Sequence, residues 1–377
     1  MMPDDLALQL TLWRHHLHAH PELSLKESGT AAYVCARLTE LEIPHVAGVG
    51  GHGVVGVLSR GGDRAVGLRA DMDALPIHET TGLAYASRHV GVMHACGHDG
   101  HTASLLGAAA LLRHDHSWSG KIYLVFQPAE EGFGGAEAML ADGLLERFPM
   151  QSIYGYHNWP GLEAGKVLLH EGPVMAGAAN FSITLHGRAG HAAMPHDCAD
   201  PVQGLAYLII AINSITSRNK DPQDAGVIST CTLSAGEARN QIPSSATLGG
   251  TIRALTPQTM RLLQARLADV ARHTAQAHEL AADVDIFSNL PPTINSEAEV
   301  ALALGAARQA GLNVELAQRG SMAAEDFGRF LEVLPGAYAW IGNGTTAPLH
   351  NPGYDYNDVI LPLAARYMAT VAKAALA

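Results

Sequence analysis

The run Cys96-Gly97-His98-Asp99-Gly100-His101 sets a thiol and two imidazoles within six residues. In an extended loop, side chains two positions apart do not diverge as they would on a helix, so Cys96 and His98 can both reach one metal ion. The same pair could instead serve as a nucleophilic thiol with its base. That reading ranks lower, because a thiol activated by histidine does not call for the acids and distant histidines found elsewhere in the chain.

Those acids are Glu130 and Glu131, in Gln127-Pro128-Ala129-Glu130-Glu131-Gly132, directly after an apolar run at Ile122–Gln127. If that run is a strand, the two carboxylates sit at its carboxyl end, where ligands bind in open α/β sheets. Metal-assisted hydrolysis needs two such groups in different roles, one ligating an ion and one free to take a proton from water. His157, in Tyr156-His157-Asn158-Trp159-Pro160, ends another apolar run, and His350 lies in Pro348-Leu349-His350-Asn351-Pro352. A lone histidine is weak evidence of a site. Placed at one sheet edge with Cys96, His98 and the acidic pair, the two carry weight together.

The elements that must hold these residues follow from hydrophobic periodicity. Leu6, Leu10, Trp13 and Leu17 recur at helical spacing, as do Ala31, Val34, Cys35, Leu38 and Leu41. Short apolar runs at Val54–Leu58, Ala65–Ala70, Ile122–Gln127 and Ser152–His157 alternate with helical segments at Thr102–Arg113 and Ala136–Arg147. That is the pattern of a buried, largely parallel sheet. From about Ala178 apolar and polar residues alternate, predicting a half-covered sheet in the order strand 179–187, helix 200–218, strands 226–234 and 245–254, helix 257–279, strand 283–288. The βαββαβ order suggests a ferredoxin-like sandwich. After Asn289-Leu290-Pro291-Pro292-Thr293 the α/β texture resumes at Ala298–Ala310, Ala337–Ile341 and Ile360–Leu376. The expected organisation is therefore an α/β domain over 1–177 plus 291–377, interrupted by an insertion at 178–290.

Composition excludes several classes. A net charge of −12 without a basic cluster argues against nucleic acid and anionic lipid as partners. Apolar stretches such as Gly204–Ile212 and Ala103–Leu112 fall short of the ~18–20 residues of a membrane helix. Met1-Met2-Pro3-Asp4-Asp5 lacks the basic start of an export signal, and four cysteines without paired spacing fit a reducing, cytoplasmic location. The 21 histidines, against 24 Lys plus Arg, exceed what packing explains.

Five motifs then resemble the M20 peptidase-like amidohydrolases, in the branch with hippurate hydrolase, bacterial N-acyl-amino-acid amidohydrolases and plant auxin-conjugate hydrolases. They are Arg14-His15-x-Leu17-His18-x-x-Pro21-Glu22-Leu23-Ser24, Arg69-Ala70-Asp71-Met72-Asp73-Ala74-Leu75-Pro76, the Cys96–His98 run, Glu130-Glu131, and Gly187-Arg188-Ala189-Gly190-His191. The resemblance spans nearly the whole chain. It implies a zinc-peptidase-like catalytic domain with an inserted lid and dimerisation domain. It implies Cys96, His98, Glu131, His157 and His350 as ligands of two divalent ions (zinc, manganese, cobalt or nickel), with Glu130 as general base.

It further implies that Asp71 orients a ligand, that His191 reaches the substrate carbonyl oxygen, and that Asn240 and Arg253 bind the substrate carboxylate. Arg253 suits that role, sharing a strand face with Thr251 opposite Ile252, and a guanidinium matches a carboxylate bidentately. Relatives commonly carry Ser-Glu-Asp-Phe where this chain has Ala323-Ala324-Glu325-Asp326-Phe327, so that segment is given only a structural or pocket-lining role. The expected activity is hydrolysis of the amide bond of small-molecule N-acyl amino acids by a homodimer or homotetramer joined through the insertion. The rivals are a dipeptidase or carboxypeptidase with the same metal site, and a non-catalytic metal-binding protein on a hydrolase scaffold.

Overall fold

The computed structural model describes residues 4–132 and 134–377. Met1, Met2 and Pro3, which open the segment read as lacking an export signal, lie outside the described residues. The chain forms two compact units. One comprises Met1–Val174, Ile294–Arg319 and Asp326–Ala377; the other comprises Met175–Thr293 and Gly320–Glu325. The second is three residues wider at each side than the 178–290 read from the sequence. It also takes in Gly320–Glu325, because the Ala176 N–H donates to the carbonyls of Ser321 (3.0 Å) and Ala323 (2.9 Å).

Among the described residues the first unit holds an eight-stranded sheet. Its spatial order is His45–Val49, Gly53–Ser59, Lys121–Gln127, Ala65–Asp71, Ser152–Pro160, Gly336–Gly344, Val167–Leu169, Val314–Leu316. The middle four strands run parallel. All seven residues of Ala65–Asp71 are buried, as expected of a strand covered on both faces. Because the four are parallel, their carboxyl ends share one edge: Asp71 pairs with Gln127, and His157 pairs with Trp340. The sequence missed the short strands His45–Val49, Val167–Leu169 and Val314–Leu316, which have too few residues for periodicity to register.

Two helix expectations change. The segment expected as Thr102–Arg113 is a helix over His98–His114, so His98 and His101 lie in its first turn, not in a preceding loop. Only the apolar part of that helix carries a helical period, which hid its polar start. The segment expected as Ala136–Arg147 is two short helices, Gly135–Ala141 and Leu144–Arg147, separated at Gly143, whose φ of 76° a side chain would disfavour.

The 19 residues Asp358–Leu376, with hydropathy 1.4, are long and apolar enough to cross a membrane, which corrects the sequence reading that no stretch reaches that length. Over half of that window (56%) is buried within the structure. Leu361, Ala364, Ala365, Met368, Val371 and Ala372 sit in the core, so its apolarity is explained by packing.

In the second unit the strands run Gly226–Ala235, Ser245–Ala254, Gly177–His186, Ala281–Leu290, all neighbours antiparallel. Numbered along the chain this is the order 4-1-3-2 read from the far edge, the arrangement of a ferredoxin-like sandwich. Its helices, Pro201–Arg218 and Pro257–Ala277, both begin with proline and are capped by Asp200 and Thr256 side chains that accept backbone N–H groups. Ile183, Leu185, Leu248, Ile252, Leu208 and Leu263 form its separate core.

The helix bearing His98 crosses its neighbours closely at Gly107. A β-carbon there would stand 2.8 Å from the Leu10 Cδ2 and 2.9 Å from the Ala365 Cβ. Gly107→Val is therefore expected to overpack this crossing and destabilise the protein by about 1–3 kcal/mol, read as a lower midpoint in urea unfolding; an unchanged midpoint would contradict the close crossing.

Candidate metal centre

Three buried imidazoles at the sheet edge are each fixed through Nδ1. The His98 Nδ1 donates to Asp73, at 2.9 Å to its carbonyl and 3.2 Å to its Oδ1. The His101 Nδ1 donates to the Asp71 Oδ1 at 2.6 Å, and the His157 Nδ1 to the Asn158 carbonyl at 2.6 Å. Anchoring one ring nitrogen in this way settles the tautomer and aims the other nitrogen's lone pair. For His101 that lone pair accepts the Asn158 N–H at 3.0 Å. For His157 it faces the Cys96 Sγ at 3.3 Å. The His98 Nε2 is buried and has no hydrogen-bond partner.

The ligand atoms of Cys96, His98 and His157 lie within 4.8 Å of one another, and so do those of Cys96, Glu131 and His350. Cys96 is common to both groups. The Glu131 Oε1 stands 3.2 Å from the His350 Nε2 and 4.0 Å from the His98 Nε2. Glu130 falls in a third such group with His98 and Glu131. The structure thus brings together all five residues read as ligands and the residue read as base.

Local backbone explains the convergence. Gly97 has a φ of 90°, and a β-carbon on it would lie 2.3 Å from the Asn158 Nδ2, so only glycine lets the chain turn between Cys96 and His98. Ala129 and His350 adopt left-handed φ values of 54° and 63°, conformations costing about 1–3 kcal/mol each at non-glycine residues. Surrounding contacts hold them: the Ala129 N–H donates to the Glu27 carboxylate at 2.8 Å, and the His350 N–H to the Ala95 carbonyl at 2.8 Å.

The donor set fits divalent cations. Burial and the carboxylates of Glu131, Glu130 and Asp71 push the Cys96 thiol well above its usual range. Burial opposes charge on His98, yet Asp71, Asp73 and Glu131 raise its pKa to about 10. Burial and the neighbouring His101 keep His157 neutral, well below the ordinary imidazole value. A pocket with this excess of acidic groups draws a proton onto His98 when nothing else is bound. A cation meets the same demand by taking that proton's place and drawing the thiol toward thiolate. Thiolate, imidazole and carboxylate together suit zinc and its neighbours.

Asp71 was expected to orient a ligand imidazole. Its carboxylate accepts from the His101 Nδ1 and from the Arg69 guanidinium (2.7 Å), and its Oδ2 lies 3.8 Å from the His98 Nε2. The carboxylate that anchors His98 is Asp73, which also accepts the Glu131 N–H at 3.0 Å and so ties two of the converging segments together. The signal for Asp73 was present, two residues on in the same motif, but nothing in the sequence distinguishes which aspartate meets which histidine.

Asp326 was likewise undervalued. Its carboxylate accepts from the Arg69 guanidinium (3.0 Å), the Gln127 amide (2.8 Å) and the Ala136 N–H (3.0 Å), while its own N–H donates to the Glu130 Oε1 at 3.3 Å.

In the second unit, His191 pairs with Gln241 across a short ribbon, beside the Asn240 carbonyl that accepts the Ala192 N–H at 3.0 Å. Arg253 lies on the half-exposed sheet face between Val227 and Ala178, and its guanidinium contacts the Thr251 hydroxyl.

A buried thiol, imidazoles and carboxylates converging at the carboxyl edge of a parallel sheet, with a further carboxylate beside them, define a metal-dependent hydrolase. The chain belongs to Peptidase family M20/M25/M40, whose family model matches residues 67–374. It is 41% identical to the hippurate hydrolase of Campylobacter jejuni, over 99% of this chain and 98% of that protein. It is 38% identical to the N-acetyl-L-cysteine deacetylase of Bacillus subtilis, over 98% of this chain and 88% of that one. Among solved structures it resembles the Bacillus subtilis YXEP protein, a dinuclear metal binding peptidase from the M20 family. That match has a TM-score of 0.88 and 31% identity, covering 99% of each chain.

Behind the centre, Asp99 accepts from the His18 Nδ1 at 2.8 Å and faces Arg14 at 3.4 Å; Arg14 also reaches Asp355 at 3.0 Å. These bonds hold the turn bearing His98 and the segment following His350 against the first helix. Burial disfavours charge on His18, but Asp99 and Glu79 raise its pKa from 6.5 to about 9. A raised imidazole pKa contributes stability that is complete below the unfolded value and lost as pH climbs through the folded one. The protein is therefore expected to lose stability between pH 6.5 and about 9, and His18→Gln to flatten that limb, as read by urea unfolding across this range.

Proposed function

We propose that this protein hydrolyses the amide bond of N-acyl amino acids, releasing a carboxylic acid and a free amino acid. The observation that carries the reading is the placing of Glu130 beside the Cys96, His98, His157, Glu131 and His350 cluster, in a chain 41% identical to a hippurate hydrolase. Those five residues would hold two divalent ions, of zinc, manganese, cobalt or nickel. When bound, such ions polarise an acyl oxygen and lower the pKa of water toward about 7.

The chain's own groups do the rest. The Glu130 carboxylate takes the proton of the attacking water and returns it to the departing amine nitrogen. The Asp326 N–H, donating to the Glu130 Oε1, restrains that carboxylate while the proton moves. Asp71 and Asp73 hold the imidazoles in register. In the second unit, His191 is assigned to the acyl oxygen, and Asn240 and Arg253 to the carboxylate of the amino-acid part. The unit Met175–Thr293 is assigned to joining two copies into a homodimer, or four into a homotetramer. A cytoplasmic location and a small-molecule substrate, with neither nucleic acid nor membrane as partner, complete the reading.

A panel of hippurate, N-acetylated amino acids and unblocked dipeptides tests it. Chelator-sensitive release of the amino acid from the acylated compounds is expected, and faster turnover of dipeptides would move the assignment to a peptidase. Glu130→Gln should retain metal and lose turnover by ~10²–10⁴-fold; wild-type turnover would refute its role as base. Cys96→Ala should lower metal content, measured by elemental analysis of purified protein, and full occupancy would remove Cys96 from the ligand set.

A further inference from the structure

The first motif of the chain ends on Ser24, a half-buried residue that takes no part in the steps of the proposed hydrolysis. Its hydroxyl reaches across 49 residues: the Ser24 Oγ donates to the Asp73 Oδ2 at 2.6 Å. Asp73 in turn accepts from the His98 Nδ1 through Oδ1 at 3.2 Å, and from the Glu131 N–H through Oδ2 at 3.0 Å. We propose that Ser24 is a positioning residue of the metal centre, acting through Asp73 to hold the His98 imidazole and the Glu131 backbone where the two side chains share one cation. This rests on the reading of His98 and Glu131 as metal ligands.

A carboxylate bound through one oxygen alone still turns about its Cβ–Cγ bond. Asp73 is bound through both, with Ser24 and Glu131 on Oδ2 and His98 on Oδ1. Of the three donors, only Ser24 lies outside the residues being positioned, so it is the independent anchor. Its bond has the length of an O–H···O⁻ contact, shorter and stronger than a neutral one. Asp71 is held in the same manner: its Oδ1 accepts from the His101 Nδ1 at 2.6 Å and its Oδ2 from the Arg69 guanidinium at 2.7 Å. Ser24 does for Asp73 what Arg69 does for Asp71.

The loop carrying Ser24 also fixes the Asp73 backbone, whose carbonyl accepts from the same His98 Nδ1 at 2.9 Å. The Ala74 N–H donates to the Glu22 carbonyl at 2.8 Å, and Leu23 bridges Ala74 in parallel register. The loop is itself fastened at its far side. The Glu22 carboxylate accepts the Gly29 and Thr30 N–H groups at 3.0 and 2.7 Å, and the buried Glu27 carboxylate accepts the Ala129 N–H at 2.8 Å, just before Glu130. Leu25 takes a left-handed φ of 67° while 58% exposed, so burial of its side chain does not compensate for that conformation. Backbone outliers of this kind persist where the surrounding structure imposes them. A serine with a purely local role bonds its own or a neighbouring backbone group; Ser24 spends its hydroxyl on a remote carboxylate.

The test is zinc affinity of the full chain, measured without substrate by competition against a chromophoric chelator, for wild type, Ser24→Ala, Ser24→Thr and Cys96→Ala. Ser24→Ala should bind zinc ~10–100-fold more weakly, the loss usual when a group steadying a metal ligand is removed. Ser24→Thr keeps the hydroxyl and should restore near wild-type affinity. Unfolding midpoints of the metal-free Ser24→Ala and wild-type proteins should match. A lowered midpoint with unchanged zinc affinity would show a merely structural role and overturn the proposal, as would equal losses of affinity in Ser24→Ala and Ser24→Thr. Cys96→Ala removes a ligand itself, so wild-type affinity in that variant would instead overturn the central metal assignment.

Discussion

Concentrated negative charge at the end of a buried sheet governs this molecule. Asp71, Asp73, Glu130 and Glu131 surround a buried thiol, and an apolar interior tolerates such a group only when each charge is paired or bound to a cation. Protein cations serve the outer rim. Arg69 joins Asp71 to Asp326, and Arg14 draws in Asp99 and Asp355. The inner faces of Cys96, His98 and Glu131 are the ones the proposed function assigns to metal. The same imbalance that would destabilise an empty pocket thus becomes affinity when ions bind, and binding there supports the fold that presents the ligands.

The architecture meets that demand with segments remote in sequence. Parallel strands put Asp71, Gln127 and His157 at one edge, while the turn at Gly97 and the left-handed residues Ala129 and His350 bend the chain where a regular element could not deliver a side chain. Strain at such positions is tolerated because the hydrogen bonds of Glu27 and Ala95 fix the backbone on either side. The network of Arg14, His18 and Asp99 then locks the helix start behind His98.

Much of this was legible beforehand. Apolar runs at 65–70 and 122–127 marked buried strands, and the βαββαβ order marked the inserted sandwich, since period and element order are local properties of the chain. Cys96, His98, Glu130, Glu131, His157 and His350 stood out by residue type and motif, and the folded chain gathers them. The polar first turn of the helix at His98 was hidden because no apolar period reveals it. Asp326 was hidden because its partners Arg69, Gln127 and Ala136 are between 190 and 257 residues away.

Sequence by itself determined which groups could do chemistry and which stretches were strands or helices, because side-chain type and hydrophobic period are carried residue by residue. Only the tertiary structure decided pairings: that Asp73 and not Asp71 anchors His98, and that Cys96 stands within reach of both His157 and Glu131. Hydrogen bonding and metal ligation act over about 2–3 Å, and distances that short between residues far apart in the chain are set by packing, which no local pattern records.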